Sequence, residues 1–233
     1  MNRKLKIHNK FYLKENRYKK PKESFKFLIN LLTKFTKKNK KYQLLDIGCA
    51  NGELIFNLEK KFKNFEIKGT DIDKELIKKA QKNCKNKENF FVCDISKKKL
   101  NIEKFDIIII QGVLCYYDDP YAILRNLKNS LNKNGQIFLF DNLNVYPIET
   151  YVKYMNTYDK KKIIYSGWNV HSIDKIKNFF KNKKKSTYKF NINKRIKKNP
   201  TDIMRSWTIL LDKKRHFTNA INMIQNQYWL RIY

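Results

Sequence analysis

Three aspartates and two glycines in the first hundred residues have the types and spacing to hold a charged ligand. Residues 44–54 read Leu-Leu-Asp-Ile-Gly-Cys-Ala-Asn-Gly-Glu-Leu. An apolar strand runs into Asp46, Gly48 and Gly52 follow, and a helical stretch starts at Glu53. Such a strand, tight turn and helix N-terminus lets backbone approach a ligand closely and aims free N–H groups at it. The glycine spacing departs from the Gly-x-Gly-x-x-Gly turn that packs around a pyrophosphate. Ala50 occupies the middle position, and Asp46 stands two residues before the first glycine. A carboxylate there repels phosphate and suits an ammonium or a sulfonium.

The elements that must position this turn follow in order. Phe65 to Ile72 reads as a second apolar strand, with Gly-Thr-Asp at 69–71, and an acid at that tip can hold ribose hydroxyls. Asn89 to Ile95 reads as a third strand, carrying Asp94 near its end. Phe105 to Gly112 is a near-continuous apolar run, expected of a strand buried on both faces. Val-Leu-Cys-Tyr-Tyr-Asp-Asp-Pro at 113–120 then leads into a helix over Tyr121 to Leu131. Asn134-Gly135 reads as a turn, and Gln136 to Asp141 as a fifth strand.

Asp46-x-Gly48-x-x-x-Gly52, followed by Asp71, Asp94 and the 113–120 segment, resembles the motif series of class I S-adenosylmethionine (SAM)-dependent methyltransferases. The resemblance implies an α/β fold: a Rossmann-like doubly wound sheet of about seven strands, mostly parallel with an antiparallel C-terminal strand, plus a C-terminal hairpin insertion. It also implies SAM as cofactor. The residues it assigns to that cofactor are Asp46, Gly48, Cys49, Ala50, Gly52, Asp71 and Ile72, with Asp94 at the adenine amino group, Ile95 beside the ring, and Gln111 and Val113 after the fourth strand.

Composition bounds the rest. The 233 residues fit one elaborated domain, with 42% hydrophobic residues to form its core. Cys49, Cys84, Cys93 and Cys115 show no Cys-x-x-Cys pair and no metal-ligand spacing, so no metal site is expected. The Lys-rich N-terminus has no apolar segment after it, and no stretch approaches a membrane span, which points to the cytoplasm. Lys plus Arg is 52 against 21 acids, a balance of +31 that ordinarily suggests nucleic acid or an anionic membrane surface. Only 7 of those 52 are Arg, however, and Asn reaches 28. Phosphate and base recognition favour Arg, and a Lys, Asn and Ile excess is the mark of an AT-rich genome. A solvated lysine surface is the leading explanation, with anionic substrates open as well.

Along the chain, residues 1–40 read as a basic N-terminal arm and a helix, with Phe25, Leu28, Ile29, Leu32 and Phe35 as its apolar stripe. The arm could fold over the cofactor mouth or hang as a loose tail. Residues 41–233 read as the SAM-binding domain. Asn144 to Tyr158 reads as partly helical, Ser172 as a helix N-cap, Thr187 to Ile192 as a strand, and Tyr228 to Ile232 as the last strand. Residues 201–226 read as a hairpin insertion near the acceptor site, turning at Asp212 to Lys214.

Methyl transfer is an in-line displacement that needs no metal. For a hydroxyl acceptor a base helps, and the candidates are His171, which precedes a helix, and Asp141, at the fifth strand tip. Tyr116 should face the transferred group, standing where many family members carry His. The reading is a methyltransferase acting on a small-molecule acceptor, a hydroxyl of a sugar or related metabolite. The alternatives are an RNA methyltransferase that uses the basic surface, and a non-catalytic SAM-fold module.

Overall fold

The computed structural model describes residues 4–5, 9–97, 103–158 and 160–233; His8 and most of the extreme N-terminus lie outside them. In chain order the elements are β1 (Lys4–Leu5), α1 (Asn9–Lys14), α2 (Glu23–Phe35), β2 (Tyr42–Ile47), α3 (Glu53–Lys61), β3 (Phe65–Asp71), α4 (Lys74–Asn83), β4 (Phe90–Val92), β5 (Phe105–Gln111) and α5 (Tyr121–Asn129). Then come β6 (Leu131–Asn144), β7 (Lys153–Met155), β8 (Ile164–Ser166), β9 (His171–Ser172), α6 (Ile173–Phe179), β10 (Lys185–Phe190), β11 (Trp207–Leu211), β12 (Lys214–Thr218) and β13 (Gln227–Ile232). The chain forms two compact units. Of the described residues, the first holds those within 9–113, 119–139 and 231–233; the second holds 4–5, 114–118 and those within 140–230.

The first unit is built on strands in the order β6, β5, β2, β3, β4, with the early part of β6 at one edge. β2 runs parallel to both β3 and β5, with Asp46 opposite Gly69 on one side and Ile109 on the other. β3 runs parallel to β4. From β2 the sheet grows one way through β3 and β4 and the other way through β5. The direction therefore reverses beside β2, and folds of this kind bind ligands at the carboxyl ends of the strands beside such a reversal. Strand residues Leu44, Leu45, Ile107, Ile108 and Ile109 are wholly buried, which explains the absence of polar alternation. The helices are amphipathic: Leu28 and Leu32 of α2, Ile55 and Leu58 of α3, and Ile123, Leu124 and Leu127 of α5 have no exposure. Truncating any one of these to Ala costs about 2–5 kcal/mol. Asp73 caps α4, accepting from the N–H groups of Glu75 and Leu76 at 2.8 and 3.0 Å.

The second unit joins the end of β6 to β13 and β10, and β9 pairs in parallel with β6. Its core stacks Phe140 on Trp229 at 4.7 Å and against Phe190 at 5.4 Å. β8 pairs in parallel with β1 and antiparallel with β7. β11 and β12 form a hairpin whose turn residues Asp212 and Lys213 have φ of 47° and 61°, as the sequence suggests. Ser172 caps α6 through Lys175 N–H.

The architecture is the expected one, a mostly parallel central sheet with antiparallel additions of the Rossmann-like class. Three local expectations need correction. Asn134-Gly135 lies within β6, which starts at Leu131 because pairing carries the backbone straight past the glycine. Residues 144–158 hold no helix; a short strand, β7, forms where β8 offers a hydrogen-bonding edge. β4 ends at Val92, leaving Asp94 and Ile95 in the loop beyond it.

Candidate cofactor site and acceptor-side network

In the first unit the chain leaves β2 through Gly48, whose φ is +72°. A Cβ there would lie 2.4 Å from Val113 Cγ2, so only glycine fits. The N–H groups of Gly48 and Cys49 both donate to Thr70 O, at 2.8 and 3.0 Å. Gly52, at φ +80°, then starts α3, and the first N–H groups of that helix are left without helical partners.

Asp71, at the tip of β3, accepts from Ala50 N–H at 2.9 Å and from Asp73 N–H at 3.0 Å. Burial is the main cause of its raised carboxyl pKa, against which these N–H groups act. Asp46 is only 2% exposed. Among the described residues its carboxylate makes no hydrogen bond or ion pair. Burial first, and the charge of Asp71 second, push it well above the ordinary carboxylate range. Gln111, at the end of β5, donates from Nε2 to Ser24 Oγ of α2 at 2.8 Å. Its Oε1 is buried and unmatched. Two buried acceptors thus wait without donors at the ends of adjacent strands. Unmet acceptors are costly, and a cationic, donor-rich ligand satisfies them where a phosphate cannot. The residues present therefore fit SAM.

The remaining expected contacts are less uniform. Cys93 N–H donates to Asp71 O, which ties the loop after β4 to the tip of β3. Asp94 accepts from both the N–H and the Oγ of Ser96, at 3.0 and 2.6 Å. The Ile95 side chain is buried, and its carbonyl accepts from Asn126. Ile72 is open at 38% exposure, while Cys49 is buried.

Sequence reasoning missed the residues that fasten the N-terminal arm to this turn. Asn51 is 1% exposed and donates to Tyr12 O at 2.9 Å and Glu15 O at 3.4 Å. Its carbonyl accepts from Tyr18 Oη at 2.7 Å. Glu53 accepts from Arg17 N–H, and Lys79 Nζ donates to Leu13 O and Glu15 O at 2.7 and 2.8 Å. Tyr18 also meets Phe56 edge-on at 5.2 Å. The run of polar residues around 51–53 was the available signal, but their partners lie more than thirty residues away in sequence.

The other candidates lie in the second unit, around a short 3₁₀ turn at Leu114–Tyr116. Asp141, 4% exposed, accepts from Cys115 N–H at 3.2 Å and Asn142 N–H at 2.9 Å. Burial raises its carboxyl pKa, opposed by Asn142 N–H and by the charge of His171. The Tyr116 ring rests on Gly167, where a Cβ would come within 3.3 Å of it. Asn169 is wholly buried: its N–H donates to Cys115 O, its side chain donates to Tyr117 O and Asp118, and its Oδ1 accepts from Val152 N–H. Asp118 also accepts from Ser166 and Lys153. Burial alone would raise the Asp118 carboxyl, but these bonds outweigh it and hold the pKa near a value of about 2.

His171 is 1% exposed, with Nδ1 3.0 Å from Glu149 Oε2. Its Nε2 lies 3.1 Å from Leu114 O and 3.0 Å from Tyr117 O. Carbonyl oxygens only accept, so Nε2 carries a hydrogen, and the other nitrogen is turned to a carboxylate. Neither nitrogen offers a lone pair to an incoming hydroxyl. Burial would raise the Glu149 carboxyl, yet the bonds from His171 and Ser172 N–H and the charge of Lys175 hold it below its ordinary value.

A parallel sheet with its switch point beside β2 and acids at its carboxyl edge defines the Rossmann-like class of cofactor-binding domains. A family model described as a methyltransferase domain matches residues 38–194, and the chain belongs to that family. That family is of the class I SAM-dependent methyltransferase type. The chain is 32% identical over 142 residues to the tRNA U34 carboxymethyltransferase of Campylobacter jejuni, covering 55% of this chain and 47% of that protein. It is 31% identical over 97 residues to the malonyl-[acyl-carrier protein] O-methyltransferase of Halalkalibacterium halodurans, covering 40% and 36%. The chain thus spans less than half the length of these curated relatives. A solved SAM-dependent methyltransferase from Methanosarcina mazei shares the fold, with a TM-score of 0.58 at 11% identity over 87% of this chain and 95% of that one. No helix among the described residues is long and apolar enough to cross a membrane.

Proposed function

We propose that the chain methylates a hydroxyl of a small polar acceptor, sugar-like in chemistry. The observation that carries this reading is Asp141. It is a buried carboxylate with two backbone N–H partners and a raised affinity for protons, next to the turn that follows β5. Its oxygens retain lone pairs, so it can accept a hydrogen bond, and then a proton, from an acceptor hydroxyl. Asn142 and Asn144 follow on the same strand and can orient further hydroxyls.

Bound SAM would supply a methyl group on a sulfonium, already activated for displacement. Asp46 and Gln111 would hold its cationic end, Asp71 its hydroxyls, and the turn at 48–52 its backbone-facing atoms. The chain's own task is to hold the acceptor oxygen about 3 Å from that methyl, in line with the bond that breaks. His171 has no free lone pair in this structure, so this reading assigns it no proton transfer. All four cysteines are free thiols, in keeping with a reducing, cytoplasmic site of action.

A second reading, methyl transfer to RNA, draws on a specific observation. Residues 140–230 hold 19 Lys and Arg against 6 Asp and Glu. Tyr146, Tyr151 and Tyr158 stand exposed among them, and exposed aromatics in basic surface suit stacking on single-stranded bases. The Campylobacter jejuni relative carries tRNA in its name. Incubating the protein and [methyl-³H]SAM with fractionated cell extract separates the two. Label in low-mass material supports the first reading; label in RNA, lost steeply with added salt, supports the second and removes the first.

A further inference from the structure

We propose that His171 is a positioning residue, which sets the turn after β5 so that Tyr116 and Tyr117 meet the acceptor in one fixed arrangement. The proposal rests on the reading that this turn receives the acceptor. The ring spans two parts of the second unit. On one side Nε2–H is shared between Leu114 O and Tyr117 O, at 3.1 and 3.0 Å. Those carbonyls bracket the 3₁₀ turn, whose own closing bond, Tyr117 N–H to Leu114 O, measures 3.0 Å. On the other side Nδ1 meets Glu149 Oε2 at 3.0 Å. Glu149 is anchored in turn by Ser172 N–H at 2.9 Å and by Lys175 at 3.4 Å.

Cys115 N–H on Asp141 and the partners of Asp118 hold the two ends of the turn, but its outer carbonyls need donors of their own. A 3₁₀ turn of three residues has poor hydrogen-bond geometry, and those donors come from elsewhere. His171 meets Leu114 O and Tyr117 O, and Asn169, two residues before it, donates to Cys115 O and also to Tyr117 O. The connecting residue Trp168 has φ +66°, a left-handed conformation that a large side chain adopts only when its surroundings impose it. The backbone strain at 168 and the two clamped residues at 169 and 171 thus serve one object, the position of residues 114–118. With the ring buried and its nitrogens engaged, His171 acts through the turn rather than on the acceptor itself.

Two substitutions separate this role from catalysis. Gln places its amide nitrogen near His Nε2, so His171→Gln keeps the donor to Leu114 O and Tyr117 O. Asn is too short, so His171→Asn loses it. Three quantities are measured for each: SAM affinity by calorimetry, amide hydrogen exchange across residues 115–118, and tritium transfer from SAM into the low-mass extract fraction as its concentration varies. The expected result for His171→Asn is exchange faster by about tenfold and half-saturation raised by about tenfold, with SAM affinity within about twofold. His171→Gln should recover most of both.

The proposal is overturned if Gln is as poor as Asn. It is equally overturned if both lose on the order of 100-fold in maximal rate at unchanged half-saturation, which is how a lost base behaves. Should His171→Asn not fold, Glu149→Gln must loosen the same amides, and unchanged exchange there also refutes the idea. Label found only in RNA would sink the small-acceptor reading, while the exchange contrast would still decide the clamp.

Discussion

The Asp71 carboxylate accepts a hydrogen bond from Ala50 N–H at 2.9 Å, so the acid at the end of β3 holds the turn that leaves β2. One side chain thus shapes the backbone of the cofactor turn while its own charge raises the energy of the neighbouring Asp46. Binding capacity and stability are set against each other at this point, and the two can be measured apart.

Replacing Asp46 by Asn should stabilise the ligand-free protein by about 1 kcal/mol near neutral pH while weakening SAM. The sign follows from the raised carboxyls of Asp46 and Asp71. In the pH window between the unfolded value, about 4, and the higher native value, the native state binds more protons than the unfolded chain. Stability from these groups therefore falls as pH rises through that window. Asp46→Asn should flatten the fall relative to wild type, and SAM affinity of the wild type should rise over the same range as the carboxylates ionise. Melting temperatures across pH, with and without SAM, test both; a steeper fall in the variant would refute the assignment.

Gly48→Ala meets two obstacles, a left-handed φ of +72° and a contact of 2.4 Å with Val113 Cγ2. A loss of about 3 kcal/mol is expected, with SAM binding weakened. Adding Val113→Ala removes the contact but not the conformational strain. The double variant should regain part of the loss and remain about 1 kcal/mol below Val113→Ala alone. Denaturant melts of the three proteins give the comparison.

Asn51→Ala removes the donor to Tyr12 O and Glu15 O from a buried position. The expected cost is about 1–2 kcal/mol, since Tyr12 O and Glu15 O each lose a partner while Lys79 still reaches Glu15 O. Limited proteolysis should then cut within residues 12–20 faster than anywhere in the sheet. Unchanged cutting there would mean that other contacts hold the arm.

Arg231 stacks over Phe35, 3.5 Å from guanidinium to ring centre, and over Tyr233 at 3.9 Å, while Nε donates to Gln136 Oε1 at 2.8 Å. Lysine cannot reproduce a planar stack with an in-plane donor. Arg231→Lys should cost about 1–2 kcal/mol in chemical denaturation, far more than a typical exposed Lys-to-Arg exchange.

The glycine turn, Asp46, Asp71 and the hairpin at 207–218 were legible in the sequence because each is a local rule. A turn needs particular residues, a buried strand is apolar, and Ser172 caps the helix it precedes. Residues 144–158 were misread because β7 owes its form to pairing with β8, a partner that the local sequence does not record. Asn134-Gly135 has the chemistry of a turn, but neighbouring strands keep it extended within β6. His171 was legible as a residue and not in its contacts, because Glu149, Leu114 and Tyr117 reach it from 22 to 57 residues away. Long-range polar partners leave no period to read.

Lys79 spends its ammonium on the main-chain oxygens of Leu13 and Glu15. An amine so engaged is shielded from acylating reagents, unlike the many lysines that stand in water. Brief treatment with an amine-reactive ester, followed by peptide mass analysis, should therefore leave this site unmodified for as long as the N-terminal segment stays fastened. The native protein thus carries an internal chemical gauge of that fastening, readable with no residue replaced.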